Sequence, residues 1–276
     1  VQAIGIALLC ATLVWWSATG AILFLDGLPR RSHRWSMGLA SAAAAAALVV
    51  LAHTRDDLSA TAAYAAFGAA IVVWGWNEMA FLMGYATGTR RTASPPGLRG
   101  WRRFRAAAQT IIHHELLIAV SAVLVAACTW EGGNLTGLWA FLVLWGMRLS
   151  AKINLFLGVR NVGEEFLPEQ LRYLGSYFAR RPVNPWFPFS VLGGVALAAV
   201  WLARALAAGA EPGVVAGAAL VGSLLVLAVL EHLFMVIPVS TTWLWQWGLS
   251  SHARDRREAR AGVPPAAEPA ILSARP

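Results

Sequence analysis

The chain predicts an all-α integral membrane protein with seven transmembrane helices, its N-terminus periplasmic and its C-terminus cytoplasmic. Three observations carry that prediction. Seven apolar stretches each reach the roughly 20 residues that a helix needs to cross about 30 Å of hydrocarbon. The loops between them alternate between arginine-rich and arginine-poor. Of 276 residues, 58% are hydrophobic, 13% are charged and 14 are tryptophan, a balance foreign to soluble domains.

The first span covers residues 4–25. No Lys or Arg precedes Asp26, so the positive region of a cleavable signal peptide is missing. The opening Val1 predicts a short preceding piece. Asp26-Gly27-Leu28-Pro29-Arg30-Arg31 is a turn with a basic anchor inside the loop 26–35, because Gly and Pro punctuate helix ends. The second and third spans follow at 36–53 and 60–85. Loop 88–105 contains Ser94-Pro95-Pro96-Gly97 and must be irregular there. Trp101 and the run Arg102-Arg103-Phe104-Arg105 then make an interfacial entry into the fourth span, 107–128.

The fifth span is 137–157, and the long segment 158–185 comes next. Within it Phe166, Leu167, Leu171, Leu174 and Phe178 recur near helical spacing, with Glu164 and Glu165 at the start and Pro168 in the first turn. That pattern predicts a surface helix over about 164–178, lying on the membrane or a partner. Glu164, Glu165, Phe166, Leu167, Glu169, Leu171 and Arg172 are its candidate docking residues. Pro182-Val183-Asn184-Pro185 ends it before the sixth span, 186–208, and the seventh is 214–237. Residues 1–248 thus form one transmembrane domain. Residues 249–276, rich in Ala, Arg, Glu and Pro, are expected to be a disordered basic tail.

Orientation follows from the cations, since basic loops stay cytoplasmic. Arg30, Arg31 and Arg34 mark one loop, Arg90, Arg91, Arg99, Arg102, Arg103 and Arg105 the next, and Arg160, Arg172, Arg180 and Arg181 the third. Arg254, Arg256, Arg257 and Arg260 mark the tail. An odd number of spans agrees with the alternation at every loop. The net charge of +8 therefore speaks of topology and of anionic headgroups, worth about 1 kcal/mol per basic residue. Nucleic acid is not an expected partner, because the basic residues are spread over four segments without a binding motif. Cys10 and Cys128 have no metal or disulfide spacing and read as buried small hydrophobes. Gly213-x-x-x-Gly217, Ala218-x-x-x-Gly222, Gly84-x-x-x-Gly88 and the alanine run 42–47 are candidate helix contacts.

The residues that carry chemistry are ionisable groups inside the spans: Glu78, His113, His114, Glu115, Arg148, Lys152, Glu231 and His232. Such groups face the bundle interior, pair, or line a polar pathway. Counting 1.5 Å per residue from the basic end places them roughly 8 to 14 Å deep, in one layer. Arg148 and Lys152 are four apart and share a helix face. The layer reads either as an ion-pair network that fixes helix register or as a pocket for a pigment, a proton or a small anion; Lys152 could also snorkel to the surface. His113, His114 and His232 are candidate ligands for the magnesium of a chlorophyll. His114-Glu115 and Glu231-His232 are adjacent and diverge by about 100°, unlike di-iron or zinc-protease spacing. No catalytic motif of the hydrolase or P-loop type is found, so no enzyme is predicted.

Several strings are longer than helix propensity requires: Trp74-Gly75-Trp76-Asn77-Glu78-Met79, Phe81-Leu82-Met83-Gly84-Tyr85, His114-Glu115-Leu116, Leu144-Trp145-Gly146-Met147-Arg148, Lys152-Ile153-Asn154 and Phe156-Leu157-Gly158-Val159-Arg160-Asn161. With Asp26-Gly27-Leu28-Pro29, Glu164-Glu165-Phe166-Leu167-Pro168-Glu169 and Leu171-Arg172-Tyr173-Leu174, the chain resembles the PuhE family of photosynthetic complex assembly proteins of purple bacteria, over about residues 15–243. The resemblance implies a multi-span factor of the bacterial inner membrane. Its expected partners are lipid, reaction-centre and light-harvesting subunits or other assembly factors, with bacteriochlorophyll or a precursor as the ligand whose supply it influences. It brings no catalytic residues. A multi-span transporter and a membrane-bound pigment-modifying enzyme are the rival readings.

Overall fold

The computed structural model describes residues 2–239 and 242–251. Seven helices run through it: α1 Gln2–Asp26, α2 Arg30–Thr54, α3 Ala60–Leu82, α4 Gly100–Cys128, α5 Thr136–Leu157, α6 Phe187–Ala205 and α7 Pro212–Phe234. All seven are long and apolar enough to cross a membrane. Among the described residues, sheet-like pairing is limited to one isolated bridge between Val159 and Arg180.

The helices are not equivalent. α3 and α7 are buried over most of their length, and they form the centre around which the others pack. Alanine and glycine make this possible, since apolar helices in lipid associate through close backbone approach. Ala63, Ala70 and Ala219 are fully buried, Gly217 lies against Thr136, and Gly222 lies against Leu202 of α6. The outer helices turn Leu9, Leu39, Val123 and Leu192 outward, as lipid contact requires. Gly217 and Gly222 therefore sit at helix contacts, whereas Gly213 abuts the link at Leu58 and Ser59.

Several boundaries differ from the sequence reading. α2 begins at Arg30 directly after Pro29, which stands at the N-cap with φ −52° and an extended ψ of 137°. Arg30, Arg31 and Arg34 are thus on its first turns and the connection shrinks to residues 27–29. α4 begins at Gly100, so Trp101 and its arginines are helical too. α3 stops at Leu82 because Gly84 adopts φ +84°; its N–H donates to the Phe81 carbonyl (2.9 Å) and Ala86 N–H to that of Ala80 (2.9 Å), a glycine-terminated helix end. Gly84-x-x-x-Gly88 is therefore no helix-packing motif. The segment after Gly84 instead runs along α4, where His114 N–H donates to the Thr87 carbonyl (3.0 Å) and Arg90 N–H to that of Gln109 (3.1 Å). Thr87 and Gly88 are buried where the irregular backbone meets α4, and such backbone is tolerated in a bundle where protein covers it.

The expected surface helix at 164–178 is also different. Two 3-10 stretches replace it, Glu164–Phe166 and Glu169–Tyr177, separated by extended Pro168, which supplies no N–H. A 3-10 helix repeats every three residues, so Leu171, Leu174 and Tyr177 stack on one face, and all three are buried. Leu171 and Leu174 pack on Phe81, with Leu82 and Ile111 alongside. The segment closes the basic end of the bundle instead of lying free on its surface. Beyond α7, the turn Thr242–Trp245 and helical residues 246–251 fold back onto α1: Trp16 Nε1 donates to the Leu244 carbonyl (2.8 Å) and Trp245 Nε1 to that of Trp16 (3.2 Å). The rest of the expected tail, including Arg254, Arg256, Arg257 and Arg260, lies outside the described residues.

Candidate functional site

Near the basic end, α1, α3, α4, α5 and α7 line a half-open cavity of about 1230 Å³. The segment 160–178 and Trp245 complete its wall. Four helices deliver charge to it. On α3, Trp74 and Glu78 are one turn apart and both face the cavity, while Asn77 turns away to exchange hydrogen bonds with Ser121 (3.1 and 3.2 Å). On α5, Arg148 and Lys152 share one face. α4 contributes Glu115 and α7 contributes Glu231.

The charges form discrete pairs. Lys152 Nζ donates to Glu115 Oε1 (2.6 Å) and Trp145 Nε1 to Glu115 Oε2 (3.0 Å). Arg148 lies 3.5 Å from Glu78 Oε2. The Glu78 side chain is 10% exposed but that of Arg148 is 46% exposed, because its guanidinium projects into the cavity. Trp15 Nε1 donates to Glu231 Oε1, which ties α1 to α7. Trp15 in turn meets Trp245 edge to face (5.1 Å), and Phe166 also meets Trp245 edge to face (6.1 Å).

The three histidines go to three different places. His114 is fully buried behind the cavity, stacked on Phe81 at 4.4 Å. Its Nε2 is 3.9 Å from Glu78 Oε1, and neither ring nitrogen has a hydrogen-bond partner. His232 has both nitrogens engaged, with the Ala228 carbonyl (2.8 Å) and Ser150 Oγ (3.1 Å). His113 is exposed on α4 next to exposed Ile112 and does not border the cavity. No histidine lines the cavity. The residues there therefore do not fit a bacteriochlorophyll held through an imidazole on its magnesium. Among the described residues, no three His, Cys, Asp or Glu side chains gather as a metal site needs.

The candidate docking residues divide as well. Glu164 pairs with Arg180 (3.0 Å), Glu165 and Phe166 border the cavity, and Leu167 is half-buried. Glu169 and Arg172 are exposed. Leu171 is buried and offers nothing to a partner, because the 3-10 repeat turns it inward. Two arginines of the basic segments act as internal staples. Arg103 donates to the carbonyls of Phe156 (3.0 Å) and Tyr177 (2.7 Å) and lies over the Phe156 ring (4.1 Å); Arg90 Nε donates to the Tyr177 hydroxyl (2.7 Å).

Residue reading from the sequence passed over the tryptophans. Trp15 and Trp145 donate to two of the three cavity carboxylates of the spans. The available signal was their position: an indole N–H placed inside a span needs an acceptor, and a carboxylate in a neighbouring span can supply one.

Comparison with known proteins places the chain. The model of a family described as protein of unknown function (DUF3623) matches residues 1–256. A Rhodobacter capsulatus protein, described as an uncharacterized 30.4 kDa protein in the puhA 5' region, is 37% identical over 247 residues, covering 88% of this chain and 90% of that protein. No solved structure matches. With nearly its whole length accounted for in both matches, the chain belongs to the DUF3623 family.

Proposed function

We propose that this protein is a non-enzymatic, multi-pass factor of the bacterial inner membrane that supports assembly of the photosynthetic reaction-centre and light-harvesting complexes. One observation carries the reading: the relative that shares 37% of its residues over almost the entire chain is described by its place in the puhA 5' region, which points to a photosynthesis gene cluster. The bundle is compatible with such work. Its basic end, taken as cytoplasmic, presents Glu169 and Arg172 on a segment stapled in place, as a docking surface for complex subunits or other assembly factors requires. An influence on bacteriochlorophyll supply belongs to the same proposal, but without an imidazole–magnesium bond inside the bundle.

Deletion of the gene in a phototrophically grown purple bacterium tests this. The expected result is a loss of near-infrared absorbance from assembled complexes, restored by the intact gene, and recovery of complex subunits with the affinity-purified protein. Unchanged spectra and complex levels in the deletion strain would reject the assembly role. Substrate-dependent flux in vesicles would replace it with the transporter reading.

A further inference from the structure

We infer that the cavity binds a flat-ringed amphiphile of no net charge, held at the edge of its ring by Arg148. A guanidinium carries five N–H donors in a planar fork. The partner of Arg148 across the cavity wall is Glu78, at 3.5 Å, well beyond the roughly 2.7–2.9 Å of a strong charge-assisted hydrogen bond. With 46% of its side chain exposed, Arg148 offers donors to the interior of the cavity at membrane depth, where unmatched donors are costly. An occupant must therefore bring an acceptor to that wall.

Charge sets the next limit. Glu115 is neutralised by Lys152 and Glu78 by Arg148, so the wall at Arg148 carries no spare charge. A net charge on the occupant would go unbalanced, so a carbonyl oxygen is a better match than a carboxylate or phosphate. The walls decide the shape. Trp15, Trp74, Phe81, Phe166, Phe178 and Trp245 come from separate parts of the chain to border one space, and aromatic faces and edges favour a flat ring over a saturated chain. The volume, about 1230 Å³, exceeds the roughly 300–1,000 Å³ of ordinary ligand pockets and leaves room for a tail beside the ring. The shared chemistry is a conjugated ring with a peripheral carbonyl and an apolar tail, whether quinone or metal-free chlorin.

The inference goes beyond the assembly proposal and stands or falls apart from it, since it is read on purified protein. The full chain in phosphatidylcholine nanodiscs is titrated with decylubiquinone, with a metal-free chlorin ester and its zinc form, and with oleyl alcohol, following quenching of the cavity tryptophans. Saturable quenching by a ring probe is expected, and which ring saturates identifies the source. Arg148→Gln should weaken it at least tenfold. Ala228→Phe, which fills the cavity from α7 and leaves Arg148 in place, should abolish it and decides the matter if Arg148→Gln does not fold. Zinc should leave the chlorin affinity unchanged. The proposal is overturned if neither ring saturates, if oleyl alcohol displaces the rings at equal concentration, if zinc tightens chlorin binding tenfold, or if folded Arg148→Gln and Ala228→Phe bind like the parent.

Discussion

Glu115 and Lys152 show how a single pair is held at membrane depth. At 2.6 Å, with a second donor from Trp145 at 3.0 Å, both carboxylate oxygens are satisfied, and removing the lysine alone strands a charge. Lys152→Met should destabilise the protein by about 2–3 kcal/mol, at the lower end for a pair that stays about one-fifth exposed. Adding Glu115→Gln should return most of that loss, and thermal unfolding in detergent measures both. Glu78, Glu115, Arg148 and Lys152 were legible in the sequence because a charge in an apolar run is conspicuous. Which carboxylate meets which cation was not, since pairing depends on helix rotation and on neighbours far away in the chain. The two adjacent histidines make the point: a rotation of about 100° per residue sends His114 into the core and His113 to the exposed side, and either order fits the same letters.

At the level of elements, α3 and its continuation are the most specified. Ser59 caps the start through Ala62 N–H (3.2 Å), and the backbone N–H of Ser59 donates to Asp57 (2.8 Å), which holds that carboxyl below its usual range. Gly84 ends the helix and Gly88 lies directly on the α4 backbone, where an added methyl would meet the Gln109 carbonyl and Thr110. Gly88→Ala should lift this segment off α4 at a cost of about 1–3 kcal/mol, visible as faster tryptic cleavage at Arg90 and Arg91. Span existence was legible throughout, because length and apolarity are properties of the letters themselves. Span ends were less so: arginine and tryptophan were counted as loop at the starts of α2 and α4, yet both are comfortable on a helix at headgroup level. The apolar spacing at 164–178 signalled an amphipathic element, but the three-residue step from Leu171 to Leu174 suits either helix, and the two periods part by only about 20° per residue.

For the whole molecule, the alternation of basic and arginine-poor loops predicts a single topology. Reporter fusions after Arg91 and Arg172 should fluoresce as cytoplasmic, and phosphatase fusions after Asp57 and Asn134 should be active as periplasmic. The reverse pattern would invert the docking face. The number of spans needed no structure. The cavity did, because it arises from gaps between helices that are each unremarkable on their own. One more consequence comes from the Trp15 to Glu231 bond, which joins positions 216 residues apart. During synthesis, α1 enters the bilayer first yet must wait for the last helix before its principal partner exists. Such an insertion intermediate would be vulnerable to quality-control proteases, so Glu231→Leu should leave fewer full-length molecules per transcript while the survivors fold normally. The life of the nascent chain, more than that of the finished protein, is where this bond should be felt.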